Sequence, residues 1–132
     1  MQTRDQMYAT NVYKKVTKTR EEEKDYKKYG GFSNKLPILI RTAGLAQALS
    51  FVEARGNKPG ERLLRDLADT IGKVDMITLT KAAREVQLSE YIRLTQQVMD
   101  ALLWYKRFAQ SILGVEQDQA TEVAEERSGE EE

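Results

Sequence analysis

KLPILIRTAGLAQALSFVEARG, residues 35–56, decides the fold. From Ile38 to Val52 apolar side chains sit on nearly every side of a helical wheel, with Ile38, Leu39, Ile40, Leu45, Leu49, Phe51 and Val52 the largest. A helix that is apolar all round belongs at the centre of a bundle. Ala43, Gly44, Ala46 and Ala48 are small enough to let neighbouring helices approach closely. Ser33 or Asn34 can cap this helix, and Gly56 ends it. Pro37 is tolerated in the first turn, where its missing N–H would have no helical partner anyway. Arg41 is the one charge between Leu36 and Val52. Either it pairs with an acid from another helix, or it emerges at a groove where its guanidinium can fork a phosphate.

The flanking sequence predicts helices on both sides. Thr3-Arg4-Asp5-Gln6 has the form of a capping box, and Ala9, Val12, Tyr13 and Val16 follow at helical spacing. Gly30-Gly31 is expected to stop that first helix. After Gly56, Asn57-Lys58-Pro59 opens a third helix that Gly72 closes, and Asp75 or Thr78 caps a short fourth one to about Val86. Ser89 is expected to cap a long fifth helix running to about Leu113 and stopping at Gly114. Its broad apolar stripe runs Leu88, Tyr91, Ile92, Thr95, Val98, Met99, Leu102, Tyr105, Ala109, Ile112 and Leu113. Lys106 falls within that stripe, where a long side chain snorkels to water. Trp104 and Phe108 project opposite it, with Leu94 and Ala101 at the flank; either another helix of the same chain covers the two rings or a second protein meets them. No segment alternates with period two, so the fold class is all-α, a single compact bundle of about five to six helices.

A net charge of zero over 132 residues hides a division. Residues 116–132 hold eight acidic side chains against Arg127 alone, a charge of −7, which leaves residues 1–115 at +7. The tail has no aromatic residue and is expected to be disordered and separate from the helical domain. A sharper expectation is that it competes with an anionic ligand for the basic domain, and that removing it leaves folding intact.

The inventory for catalysis is thin. There is no Cys and no His, which removes the thiol nucleophile, the thiolate metal site and the commonest general base. No phosphate-binding glycine loop is present. Asp66 and Asp69, at i and i+3, could hold Mg²⁺ in a carboxylate-dependent enzyme. They lie beside Arg62, Arg65 and Lys73, and an ion-paired solvated face is the simpler account. The expectation is a non-enzymatic chain with no catalytic residue, metal or cofactor. Without a membrane span or a secretory signal at the polar N-terminus, and without cysteine, it is expected in the cytoplasm.

Positive charge has a pattern instead. On the first helix Arg4, Asn11, Lys14, Lys15 and Lys18 share the sector opposite Ala9, Val12, Tyr13 and Val16. A cationic stripe of this kind suits a phosphate backbone, since each neutralised phosphate releases condensed counterion; it also serves as a solubilising face. Arg107 lies near Arg93 with Asp100 between them, which suggests an intrahelical ion pair as well as a phosphate contact. Lys14, Lys15, Lys18, Arg41 and Arg107 are therefore the candidate contacts to a phosphate backbone, and Trp104 and Phe108 the candidate protein interface.

Three blocks also resemble a known family: MQTRDQ at 1–6, YGGFSNKLPILIRTAGLAQALSFVEARG at 29–56, and SEYIRLTQQVMDALLWYKRFAQSILG at 89–114. Together they are similar to the small helical subunit of the type III-B CRISPR effector, the Cmr complex. The resemblance covers about residues 1–114 and excludes the tail. It implies a bundle of about six helices without enzymatic activity, stacked in several copies as an inner filament. That filament would lie beside the backbone subunits that carry the guide RNA, lining the groove where target RNA pairs with the guide. Cleavage would belong to the backbone subunit, and cyclic-nucleotide or DNase activity to the large subunit. A purely structural adaptor that touches only protein is the alternative. Stacking head to tail requires two unlike patches per copy, of which Trp104 and Phe108 can supply one.

Overall fold

The computed structural model describes residues 1–116, and the expected disorder and dispensability of the tail lie outside them. Six α-helices follow one another: α1 Arg4–Glu22, α2 Tyr26–Ala43, α3 Leu45–Arg55, α4 Asn57–Thr70, α5 Met76–Glu85 and α6 Leu88–Ser111. Helix α6 packs most extensively against α2 and α1, α4 lies between α1 and α2, and α5 leans on α3 and α4. Contacts of Arg4 with Asp100 and of Tyr13 with Phe108 run α1 parallel to α6. Helix α4 runs the other way along α1, with Arg62 meeting Thr19 and Glu22 while Thr70 meets Asn11.

The capping box at Thr3 forms, with the Gln6 N–H donating to the Thr3 hydroxyl and the Thr3 N–H donating to the Gln6 amide oxygen. Asp75 is the cap of α5, accepting from Thr78 N–H at 2.8 Å. Helix α6 starts one residue before Ser89, and its N-cap, Gln87, makes no side-chain hydrogen bond.

Two boundaries differ from expectation, and each for a packing reason. Helix α1 ends at Glu22 rather than at Gly30-Gly31, and both glycines lie inside α2, buried. A Cβ built on Gly30 would stand 2.6 Å from Val115 Cγ2, so glycine is needed there to let the chain beyond α6 press onto α2. Pro37 also falls in the interior of α2 and not in its first turn, denying the Ser33 carbonyl its helical donor. What holds this helix is burial: Tyr29, Phe32, Leu36 and Ile40 all point into the core.

The second difference is the break at Gly44, where one continuous helix was expected from Ile38 to Val52. Gly44 adopts φ 89°, a left-handed value that costs glycine little. The Tyr91 hydroxyl stands 3.3 Å from where a Gly44 Cβ would be, and accepts a hydrogen bond from Ala46 N–H at 3.2 Å. One of the unpaired N–H groups in the first turn of α3 is thus satisfied from α6.

The apolar stripe of α6 is rotated from the expected one. Leu94 and Ala101, placed at its flank, are buried with Val98, Leu102, Tyr105 and Ala109, whereas Leu88 and Ile92 are 73% and 57% exposed. The bundle has enough neighbours to cover the 94–98–101–105 face, and the first turns of α6 project past them.

Candidate nucleic-acid interface

Helix α1 turns Tyr8, Val12, Val16 and Thr19 inward, so its opposite face is solvent-exposed. The expected cationic stripe narrows on that face. Arg4 is an ion pair with Asp100, and Lys15 reaches Asp69 at 2.9 Å. Asn11 also turns to α4, donating to Asp69 and meeting Thr70. Lys14 and Lys18 are exposed and make no ion pair among the described residues.

Asp100, expected between Arg93 and Arg107, is taken by Arg4 instead, and Arg93 pairs with Glu90 at 3.6 Å. Arg107 is left exposed with its guanidinium 5.8 Å from the Trp104 ring centroid. Tyr13 and Phe108 meet edge to face at 5.5 Å, which puts the Lys14 turn of α1 level with the Arg107 turn of α6. Lys14, Lys18 and Arg107 therefore occupy one end of the α1–α6 pair.

Arg41 stands apart from them. It is exposed in the last turn of α2, where it also complements the helix dipole. That turn lies near Tyr91, and from Tyr91 to Phe108 the axis of α6 rises about 26 Å. The break at Gly44 explains the exposure: Arg41 ends one helix rather than interrupting a buried one. It needs no acidic partner, and among the described residues it has none.

Trp104 and Phe108 lie half-buried in the seam between α1 and α6. Their rings stack at 5.7 Å, and the Trp104 indole N–H donates to Asp5 at 2.9 Å. Helix α1 is thus the covering helix, although an edge of each ring remains exposed.

The two carboxylates that could have shared a metal diverge. Asp66 is buried, accepting from the Tyr29 hydroxyl at 2.7 Å, while Asp69 faces solvent and Lys15. The solvated ion-paired face expected for the pair holds for Asp69 alone. Among the described residues no three His, Cys, Asp or Glu side chains cluster to hold a metal ion. Burial raises the pKa of Asp66, an effect only partly opposed by Tyr29 and the cations Lys15, Arg62 and Arg65. The hydrogen bond from Lys15 lowers that of Asp69, against a smaller opposing effect of burial, with Asn11 adding to the lowering.

Two features had escaped the sequence. Beneath the Lys15–Asp69 pair runs a polar network in which Thr70 meets Asn11 at 2.6 Å and Tyr105 at 2.8 Å, and Arg62 donates to Thr19 at 3.0 Å. The available signal was Asp66 itself, set between Leu63, Leu64 and Leu67 on an inward face. The second is an open groove of about 440 Å³ where α2 and α3 meet α6, lined by Ile40, Leu45, Tyr91, Ile92 and Met99. Of its lining, Ile92 is the most exposed large apolar side chain. Gly44, where the chain breaks, is part of its lining.

Comparison with known proteins gives a consistent set of likenesses. Residues 4–112 match the family described as CRISPR-associated protein (Cas_Cmr5). The CRISPR system Cmr subunit Cmr5 of Thermus thermophilus is 43% identical over 113 residues, covering 86% of this chain and 98% of that one. An X-ray crystal structure of a CRISPR-associated Cmr5 family protein from Thermus thermophilus superposes with a TM-score of 0.80 at 43% identity. That match covers 85% of this chain and 98% of the other.

Proposed function

The chain belongs to the CRISPR-associated Cmr5 family, small subunits of the Cmr complex, and from that premise we propose that it lines the groove in which guide and target RNA pair. Several copies stack as a filament beside the backbone and large subunits. Base pairing reads the sequence, while this subunit meets the RNA through shape and phosphate. The chain contributes no catalytic group, and cleavage belongs to its partners.

The observation that supports this reading is that Lys14 and Lys18 on α1 are exposed with no ion pair among the described residues, and that Arg107 on α6 is exposed as well. Cations not engaged in an ion pair stay available to phosphate. Lys15 joins them by exchanging Asp69 for an RNA oxygen, an exchange that costs little because Asp69 is largely solvated. Arg41, about 26 Å along the bundle, meets a separate stretch of backbone.

Stacking needs two unlike surfaces. The exposed edges of Trp104 and Phe108 supply one. The open α2–α6 groove, with Ile92 and Met99 on its lining, supplies the other.

The test is the triple variant Lys14→Gln, Lys15→Gln, Lys18→Gln measured against single-stranded RNA across a salt series. Each lost phosphate contact should flatten the log–log salt slope by about 0.7. Unchanged affinity and slope would leave the subunit as a protein-only adaptor. In that case Trp104→Ala or Ile92→Asp would abolish assembly while charge changes did nothing.

A further inference from the structure

Helix α6 carries a second apolar stripe that the bundle does not use. Leu94, Val98, Ala101, Tyr105 and Ala109 turn inward, whereas Leu88, Ile92 and Leu103 stay exposed, Leu103 at 54%. At about 100° per residue, these three and the half-buried Met99 fall within about 60° of one another on the outer face. The charges of this stretch, Glu90, Arg93 and Asp100, lie around the other side of the helix, where Asp100 meets Arg4 of α1. Covering the stripe therefore desolvates no charge.

Its spacing identifies what covers it. From Leu88 to Ile92, from Ile92 to Met99 and from Met99 to Leu103 the steps are four, seven and four residues, the same read from either end. A two-fold axis at residues 95–96 sets Leu88 of one copy against Leu103 of another, and Ile92 against Met99. An isologous contact requires this self-complementarity, and a foreign partner does not. The polar pair at the axis fits as well. Thr95 lines the α2–α6 groove, and its buried hydroxyl makes no hydrogen bond among the described residues. The same axis brings the exposed Gln96 amide of the second copy beside it, with a donor and an acceptor to offer. Met99, with its adaptable thioether, can fill the second copy's open groove.

We propose that the free subunit pairs with a second copy of itself through α6, the two helices antiparallel about Thr95 and Gln96. This two-fold contact between like faces goes beyond the head-to-tail filament reading and does not rest on it. Because it covers Ile92 and Met99, it competes with stacking wherever that groove serves a filament. The contact is about 22 Å long and one helix wide, well short of the roughly 800 Å² per partner of a tight dimer. The pair is therefore reversible, forming at about 100 μM rather than at nanomolar concentration.

The absence of cysteine from the chain makes the register directly testable. Full-length chains carrying Leu88→Cys or Leu103→Cys are oxidised at about 200 μM, separately and as an equimolar mixture. The mixture is expected to form a disulfide-linked pair at least about tenfold faster than either variant alone, because equal positions stand about 22 Å apart across the axis. Sedimentation equilibrium of the native chain is expected to show a monomer–dimer equilibrium that persists at about 500 mM salt. Ile92→Asp is expected to weaken it at least about tenfold with the unfolding midpoint retained, since the side chain is exposed in the monomer. Either cysteine variant linking to itself as fast as the mixture would overturn the antiparallel pair. So would a native chain that stays monomeric to about 500 μM, or an association that high salt abolishes or Ile92→Asp leaves unchanged.

Discussion

The Tyr29 hydroxyl donates a 2.7 Å hydrogen bond to the Asp66 carboxylate, joining α2 to α4 inside the bundle. Both side chains are buried, and burial is the largest cause raising each pKa, the Asp66 charge adding to the rise at Tyr29. The bond is what makes an ionised carboxylate tolerable there, since a buried polar group left without its partner costs about 1–3 kcal/mol. Tyr29→Phe is therefore expected to destabilise the fold by that amount in denaturant unfolding at pH 7 while leaving its helix content unchanged. An unaltered midpoint would mean that Arg62 alone satisfies Asp66.

Asp66 and Asp69 are three residues apart and are expected to respond to pH in opposite senses. Asp69 is held below the usual aspartate value of 3.8, so its contribution to stability is present above that value and is lost as pH falls through its lowered pKa. Asp66 is raised above 3.8. Its charge is unfavourable in the fold, and stability from this site is fully present below the unfolded value and is lost as pH rises through the raised one. Asp69→Asn should therefore weaken the protein at pH 7 and lose its effect near pH 3. Asp66→Asn, which keeps an acceptor for Tyr29, should compare best with the native chain at pH 7 and less well at pH 3. Parallel pH profiles for the two variants would contradict the assignment.

The all-helical class and the caps at Thr3 and Asp75 were legible because helix periodicity and capping chemistry are local. The boundaries at Gly30 and Gly44 were not, because glycine punctuates a chain in one context and admits a neighbour in another. Only Val115, eighty-five residues away, distinguishes these roles at Gly30. The same non-locality hid the site. Lys14 and Lys15 are adjacent on the wheel, yet one faces water and the other Asp69, because α4 lies along one side of α1. Asp100 looked like a neighbour of Arg107 until α1 brought Arg4 to it.

Gly30→Ala tests the close approach. Alanine is the better helix former by about 1 kcal/mol, so an unconstrained site would gain stability. With Val115 Cγ2 at 2.6 Å and Leu113 at 3.2 Å from the added methyl, the variant is expected to lose about 1–3 kcal/mol instead. Adding Val115→Ala should return part of that loss, and the two substitutions should be non-additive in unfolding experiments. A Gly30→Ala variant as stable as the native chain would show that the segment after α6 yields easily.

Tyr91→Phe removes the acceptor for the Ala46 N–H and leaves the ring in place. The expected cost is about 0.5–1.5 kcal/mol, with faster amide exchange confined to the first turn of α3. Exchange that rises throughout the bundle would instead mark Tyr91 as a general packing residue.

Separating the lysines of α1 distinguishes a phosphate surface from a structural one. Lys15 has two tasks, pairing with Asp69 and, by proposal, meeting RNA, so Lys15→Gln should lower stability by about 0.2–1 kcal/mol as well as weaken RNA binding. Lys14 and Lys18 have no ion pair among the described residues to lose. Lys14→Gln with Lys18→Gln should leave the unfolding midpoint within experimental error while making the salt slope of RNA binding shallower by about 1.4, two contacts' worth on a single strand. If the double variant instead unfolded earlier and its RNA affinity followed the folded fraction, both lysines would be supporting α1 rather than meeting phosphate. Stability and salt slope report on different interactions, so the pair of measurements decides between the roles without a structure of the complex.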